Sequence, residues 1–498
     1  AKNGRTLSFT MVLRLLRRAR VLPRFAAGRA HRGGRVARAQ TAPLATLPKT
    51  SEASQHKETP VSWAPSSQNT PATMAHSSEE EEEEDHGGGR LLSPTAEHAA
   101  VRALVRSFAR DDLEPQSRRH DAQETPNTAL LRKLGKELGM LGPTIPAESV
   151  PGGGGLDAVA AVIIAEELSY ADPGFALSHL AHATLFAHNL YVNGSQEQRL
   201  RYLPGALDGS TIGGMGMTEP TAGTDVLGMR TRATRDGAYW VLDGHKAWIT
   251  NAYVVDDDQE EEEERLGDVF LVYARTGAAR DAISLFVVER GFKGFSLGRA
   301  VKGKLGMRAS ATGDLIFEAC RVPAENLVGA VDQGTTAMMR NLEIERLALA
   351  AMATGIARRC LDVMRVYARE RRAFGTDLAS FGQIQAHIAD SFGEYNAARA
   401  YLYAVARHAV DDDNGTVNRR LDSDAVKLVA TRAAKQVADR AIQTLGANGY
   451  VADYVVERLW RDAKLLEIGG GTLESHQKNI TRDLVRFHHD DADLPETW

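Results

Sequence analysis

The chain has 498 residues, 43% of them apolar, and a formal net charge of −5. That length exceeds one simple core and points to two or three packed units, and no run of about 18 uninterrupted apolar residues is present to span a membrane as a helix. Two cysteines, Cys320 and Cys360, are too few for a disulfide framework or a cysteine-based metal site, which fits a reducing compartment.

Residues 1–50 hold 12 Lys and Arg and no Asp or Glu, which leaves −17 on the rest of the chain. Acid-free stretches rich in Arg, Ala and Leu are typical of organelle presequences. Arg14, Arg17, Arg18, Arg20 and Arg24 interleave with Leu13, Leu15, Leu16, Val21 and Leu22, so a helix there has one cationic and one apolar side. We expect a mitochondrial presequence over 1–50; the alternative is a basic tail without a role. Residues 51–93 are rich in Ser, Thr, Pro, Gln and Glu, too polar to offset their ordering entropy, and read as a disordered linker. With the basic charge outside the folded body, nothing points to nucleic acid.

Residues 94–212 read as an α-helical domain. Ala99, Leu104, Val105 and Phe108 are expected on one helix face, and Leu156 to Leu168 is apolar and Ala-rich. Pro151 and Gly152–Gly155 punctuate the helices. Residues 213–325 read as a β-domain, with strands at Tyr239–Leu242, Val269–Tyr273, Ile283–Val288 and Asp314–Phe317. Asp236–Gly237 and Asp243–Gly244 are expected turns. Acidic tracts run from Glu79 to Asp85 and from Asp256 to Glu264, the second a solvated insert between two strands. Residues 326–488 return to long helices, nearly free of breakers from Leu342 to Val366 and amphipathic from Asp424 to Leu445.

Four segments carry chemistry. Gly213–Asp225 reads G-G-M-G-M-T-E-P-T-A-G-T-D and lacks the following helix that a Rossmann fingerprint needs. Its small residues let backbone approach a planar ligand, with Thr218 and Thr224 offering hydroxyls; a plain Gly-rich turn is the alternative. Trp248-Ile249-Thr250-Asn251 offers a ring beside a hydroxyl, or a core Trp at a strand end. Arg371-Arg372-Ala373-Phe374-Gly375 closes a helix with two cations, and Arg461-Asp462-Ala463-Lys464 runs on into Gly469-Gly470-Gly471-Thr472. We reject Gly294–Gly298 (G-x-S-x-G) as a nucleophile elbow, because a strand-like stretch follows it. His488-His489-Asp490-Asp491 reads as a polar tail rather than a metal site.

In order and spacing, M-T-E-P-x-A-G-T-D, W-I-T-N, K-L-G-M-R (Lys304–Arg308), R-x-A-F-G and R-D-A-K resemble the acyl-CoA dehydrogenase family from residue 94 to 488. The resemblance implies an α+β fold: an N-terminal helical domain, a central β-barrel-like domain and a C-terminal four-helix bundle, assembled as a homotetramer. It implies FAD as cofactor, with Met217 and Thr218 on the isoalloxazine, Trp248 and Thr250 flanking it, and Thr472 and Glu474 nearby. Thr224 would lie near the CoA moiety. Arg371 and Phe374 would meet the ADP portion of a neighbouring subunit's FAD, with Gln443, Gly446 and Ala447 beside them.

The implied reaction takes an α-proton to a carboxylate and a β-hydride to flavin N5. A desolvated Glu suits the first step, since burial raises its pKa toward the working pH. Many family members carry that Glu in the C-terminal loop, where this chain has Gly470. In some relatives the base comes from a bundle helix, which matches Leu342-Glu343-Ile344-Glu345-Arg346-Leu347 here and makes Glu345 the base. Glu343 and Glu345 lie on different sides of a helix, so one must face the apolar side.

R-D-A-K-L-L-E-I-G-G-G-T most resembles the isovaleryl-CoA dehydrogenase wording. Leu177, Ala181, Leu349 and Gly469 would line the acyl pocket, with Arg346 and Gly470 also at the substrate. The expected reaction is isovaleryl-CoA to 3-methylcrotonyl-CoA in leucine catabolism, in the mitochondrial matrix, with electron-transfer flavoprotein as acceptor. Gly382, Leu466, Leu473 and Ala447 depart from the family's wording at cofactor and pocket positions. The alternatives are another short- or long-chain acyl-CoA dehydrogenase and a non-catalytic assembly subunit of a mitochondrial complex.

Overall fold

The computed structural model describes residues 92–252, 266–409 and 419–487. The expected presequence, the linker up to residue 91, both acidic tracts and the His488–Asp491 cluster lie outside the described residues. The first helix, α1 (Ala96–Phe108), starts where the hydroxyl of Thr95 accepts from the His98 backbone N–H, a side-chain cap. Val101, Leu104, Val105 and Phe108 are buried, but Ala99 is exposed. At 100° per residue Ala99 falls on the far side of that stripe, and Val101 takes the place expected for it.

Helices α2 (Glu114–Gln123), α3 (Thr128–Lys136), α4 (Ala158–Ala171) and α5 (Pro173–Leu180) follow. Asp157 caps α4, and Asp172 caps α5 with proline in its first turn, where the missing N–H costs nothing. A π-helical stretch, Ala181–His188, leads into α6 (Asn189–Asn193). Ser195 and Gln198 form a reciprocal capping box on α7 (Gln196–Asp208).

The β-domain holds β1 (Gly213–Gly216), β2 (Arg232–Asp236), β3 (Tyr239–Thr250), β4 (Val269–Arg275), β5 (Ile283–Glu289), β6 (Phe295–Ala300), β7 (Thr312–Pro323) and β8 (Leu327–Val328). They form one sheet in the order β6-β7-β3-β2-β4-β5-β8, with β1 parallel to β4. Alternation along β4 and β5 divides two cores. Val269, Leu271, Tyr273, Ile283, Leu285 and Val287 meet the helices through Phe186, Leu190 and Leu203. Phe270, Val272, Phe286 and Val288 face the other way, toward Trp240, Phe295 and Phe317. The rings of Phe270 and Phe295 lie 5.9 Å apart although β4 and β6 are separated by three strands, so the sheet curls over its own core. Asp236–Gly237 is the expected hairpin turn, with Gly237 at φ +56°. Asp243–Gly244 is not a turn: β3 runs through it with a bulge opposite Phe317–Cys320. A Cβ on Gly244 would lie 2.6 Å from the Thr231 Cα, so glycine serves strand packing here rather than chain reversal. Ser296 lies within β6, which removes any nucleophile elbow.

The C-terminal region comprises α8 (Gly334–Glu370), α9 (Gly382–His408), α10 (Arg419–Leu445), α11 (Val456–Leu466) and α12 (Leu473–Phe487). Helices α8, α9 and α10 pack on one another and α12 lies along α10. A buried ionic cluster fastens this bundle to the first helices. Glu166 and Glu167 on α4 are fully buried. Glu166 takes Arg102 of α1 at 2.9 Å, Arg399 of α9 at 2.6 Å and the Tyr403 hydroxyl at 2.6 Å. Glu167 takes Arg102 at 2.6 Å, Arg106 at 3.3 Å and both guanidinium nitrogens of Arg358 on α8 at 2.8 and 2.6 Å. The facing guanidiniums outweigh burial and hold both carboxyls below their ordinary range, Glu166 at about 2.

Candidate active site

Two elements meet at the site: the end of β1 with the bulged β3, and the first half of α8. The backbone N–H of Ala247 donates to Thr218 O at 2.9 Å, which sets Met217–Thr218 beside Trp248. Trp248 sits at the β3 bulge with φ +65° and is 59% exposed, a conformation β-branched and bulky residues avoid. Among the described residues the hydroxyls of Thr218 and Thr250 have no partner. The result is an open aromatic ledge flanked by two free hydroxyls, a fit for a flat ring with polar edges. Thr224 is exposed further along the same loop.

A buried pair holds the ledge from behind. The Lys246 ammonium donates to Met217 O at 3.0 Å and to Glu219 Oε1 at 2.9 Å, and the Glu219 carboxylate accepts from the backbone N–H groups of Arg230 and Thr231. Both pKa values move down. At Glu219 burial pulls upward but is outweighed by Lys246 and the hydrogen bonds; at Lys246 burial outweighs pairing and brings the ammonium to about 8. Asn251, fully buried at φ +68°, donates to Ser178 O and Gly213 O and so ties α5 to β1. None of these supports has a local sequence signature beyond the motif letters themselves.

From β1 the contacts pass to α8. The amide of Asn341 lies 3.8 Å from the Met215 sulfur, and one helical turn further on is Glu345. Glu345 is buried, whereas Glu343 is only half-buried, which answers which of the two faces inward. Among the described residues, Oε2 of Glu345 has no hydrogen-bond partner. Burial pushes its carboxyl above the ordinary range, against the pull of Lys427 and Arg346. Gly470 presses on this carboxyl. With φ +63°, a Cβ there would stand 2.3 Å from Leu349 Cδ1 and 3.3 Å from Glu345 Oε1. Leu349 and Glu345 therefore occupy the space that a side chain at 470 would need. At its neighbour Gly469, a Cβ would meet nothing closer than 3.6 Å.

The other expected residues fall into two places. Leu177 is half-buried and Ala181 fully buried on the α5–π-helical segment, which packs against α8. Arg346 is buried, its Nε 3.1 Å from Asp424 Oδ1. Thr472 caps α12 by accepting from the Ser475 N–H, and Glu474 is exposed in that first turn. Leu466 is fully buried, Leu473 half-buried, and Gly382 opens α9 with open space at its Cβ position. Arg371, Phe374, Gln443, Gly446 and Ala447 are exposed at the far end of the bundle, where Asn448 donates to Tyr367 OH. From Glu345 to Arg371 is about 39 Å along α8 at 1.5 Å per residue. One subunit therefore does not bring these five to the ledge.

Models of the acyl-CoA dehydrogenase N-terminal, middle and C-terminal domains match residues 95–210, 214–320 and 332–485. Mitochondrial isovaleryl-CoA dehydrogenase of Solanum tuberosum is 39% identical over 385 residues, 77% of this chain and 89% of that protein. Mitochondrial 2-methylacyl-CoA dehydrogenase of the same plant is 38% identical over 386 residues, 77% of this chain and 89% of that protein. A glutaryl-CoA dehydrogenase from Mycobacterium smegmatis, solved in complex with FADH2, superposes with a TM-score of 0.72 at 29% identity, covering 80% of this chain and 96% of that one. No helix of the described residues is long and apolar enough to cross a membrane, and no metal-ligand cluster occurs among them. With three consecutive domain models matched and relatives aligned over most of their length, the chain belongs to the acyl-CoA dehydrogenase family, FAD-dependent oxidoreductases.

Proposed function

We propose that the protein carries out FAD-dependent α,β-dehydrogenation of a short branched acyl-CoA, isovaleryl-CoA to 3-methylcrotonyl-CoA, with Glu345 as the α-proton base. The observation that carries this is the pairing of Glu345 with Gly470: a buried carboxylate, with an oxygen unpartnered among the described residues, lies against a loop position that has no room for a side chain. FAD, when bound, supplies the hydride acceptor for the β-carbon. Thr218, Trp248 and Thr250 would hold its ring system. Glu345 takes the α-proton on its unpartnered oxygen, and its raised pKa matches it to a weak carbon acid better than an exposed carboxylate. Leu349 and the Gly469–Gly471 loop exclude water and shape the acyl pocket, with Leu177 and Ala181 on the opposite wall. The small residue at 469 leaves room for a branch.

Arg371, Phe374, Gln443, Gly446 and Ala447 would serve the FAD of a second copy in a homotetramer, which fits their distance from Glu345. The domain limits 94–212, 213–325 and 326–488, the matrix location and electron-transfer flavoprotein as acceptor belong to the same reading. The mitochondrial isovaleryl-CoA dehydrogenases among the relatives support it. The similarity to a 2-methylacyl-CoA dehydrogenase favours a second reading, a branch at C2 rather than C3.

The test is anaerobic flavin bleaching of FAD-loaded protein by isovaleryl-, 2-methylbutyryl-, isobutyryl-, butyryl- and palmitoyl-CoA. Fastest bleaching by isovaleryl-CoA supports the assignment. Fastest bleaching by 2-methylbutyryl-CoA moves the branch, and fastest bleaching by palmitoyl-CoA refutes the short-branched class.

A further inference from the structure

Behind Gly470 lies a second buried cluster that the reaction itself does not require. Lys427 on α10 is fully buried. Its ammonium donates to Gly469 O and Gly471 O, each at 2.5 Å, and lies 3.0 Å from His476 Nε2. An ammonium has three N–H donors, and all three are used. The other ring nitrogen of His476, on α12, is 2.5 Å from Asp424 Oδ1. The same Asp424 oxygen pairs with Nε of Arg346, the residue after Glu345. The chain Arg346–Asp424–His476–Lys427 thus starts next to Glu345 and ends on the two carbonyls that flank Gly470.

The chemistry of this chain is self-consistent. Asp424 accepts from His476 Nδ1–H, which in the neutral ring leaves Nε2 to accept from the Lys427 ammonium, with Gly471 O also 3.0 Å from Nε2. Protonating His476 would set two cations against each other, and burial with Lys427 pushes its pKa down. Lys427 is lowered by its own burial to about 8, and the charge of Glu345 is the chief pull in the other direction. The groups that face Glu345 are Arg346 on its own helix, Lys427 on α10 and the buried Tyr273 hydroxyl on β4, with Asp424 and His476 behind Lys427.

We propose that Lys427 is the positioning residue for Glu345: it clamps both sides of Gly470, fixing the loop that packs on the carboxylate, and places a buried positive charge that favours the ionised carboxylate. It does so without touching the substrate. The inference rests on Glu345 being the base.

The experiment uses the full FAD-loaded chain and follows the acid limb of kcat/KM against pH, with kcat and KM measured separately. Lys427→Met removes the cation at similar length. Its acid limb moves upward, and kcat falls on the order of 10- to 100-fold, as for a misplaced base, while KM changes little. Lys427→Arg returns the limb toward wild type. Asp424→Asn removes an anion from the same cluster, so its limb moves downward. A merely structural cluster has no reason to shift the two variants in opposite directions. Limbs that stay put, or that move the same way in both, overturn the proposal. If Lys427→Met does not fold, the direction in Asp424→Asn decides alone. Glu345→Gln is run alongside: if it bleaches normally, the base assignment falls and the clamp with it. If it is dead while the limbs stay put, the base stands and only the clamp falls.

Discussion

Replacing Gly470 with alanine tests the site where the geometry is tightest. Two costs are separable. The residue sits at φ +63°, a left-handed backbone that costs an L-residue roughly 1–2 kcal/mol. The new methyl would also stand 2.3 Å from Leu349 Cδ1, and Leu349 is buried, so overpacking adds about 1–3 kcal/mol. Together we expect a loss of ~2–5 kcal/mol in unfolding free energy. The kinetic cost has another source. The methyl lies 3.3 Å from Glu345 Oε1, and displacing a reacting carboxylate by about 1 Å lowers the rate on the order of 100-fold. Denaturant unfolding and single-turnover flavin bleaching read the two costs independently. Leu349→Ala provides the internal control: with Cδ1 gone, the overpacking is relieved and adding Gly470→Ala leaves the backbone strain, about 1–2 kcal/mol below Leu349→Ala alone, together with the close approach to Glu345. Strict additivity of the two substitutions, or a Gly470→Ala protein with wild-type stability and bleaching, would refute the reasoning.

Three further outcomes follow from the same geometry. Glu345→Gln should retain bound flavin, seen in its absorption spectrum, and lose about 100- to 10,000-fold in bleaching rate; in the wild type the rate should rise with pH through a carboxyl titrating above its ordinary range. Glu167→Gln strands the buried guanidiniums of Arg102 and Arg358 and should cost about 3–5 kcal/mol in urea unfolding. The Glu166 and Glu167 carboxyls are both depressed, so their contribution is complete above about 4.5 and is lost as the pH falls below it, for Glu166 toward about 2; the variant should therefore show a flatter stability profile below about 4.5, and an unchanged profile would count against the cluster. Lys246→Met leaves Glu219 buried without its cation and should both destabilise the protein, by about 3–5 kcal/mol, and shed flavin on dialysis faster than wild type; tight retention would disconnect the pair from the ledge.

Much of this was legible in residue order, and the exceptions share a cause. The strands around Val269–Tyr273 and Ile283–Val288 announce themselves as apolar runs of mixed β-branched, aromatic and leucine residues, and Glu345 stands out as a charge on an apolar helix side. Asp243–Gly244 reads as a turn because the dipeptide favours one; the close approach of Thr231, just before β2, goes with a bulge instead. The buried cluster behind Gly470 joins residues 346, 424, 427 and 476, which no local pattern links. One trace existed: Asp424 and Lys427 share the buried side of α10 with Ala430, Thr431 and Ala434, so two opposite charges sit on a stripe of otherwise small, uncharged residues. Likewise Arg102 and Glu167 lie 65 residues apart, and an Arg on a first helix reads as solvated until its partner is known.

The two adjacent glycines at 469 and 470 have opposite evolutionary prospects. A Cβ at 469 would make only ordinary contacts with Leu465, none closer than 3.6 Å, so on the proposed assignment substrate range can drift there by single substitutions. Position 470 is frozen by the carboxylate beside it: any side chain arriving there must first evict Glu345 or Leu349. On the proposed assignment, moving the base to the loop would therefore require at least two changes made together, whereas a change at 469 needs only one.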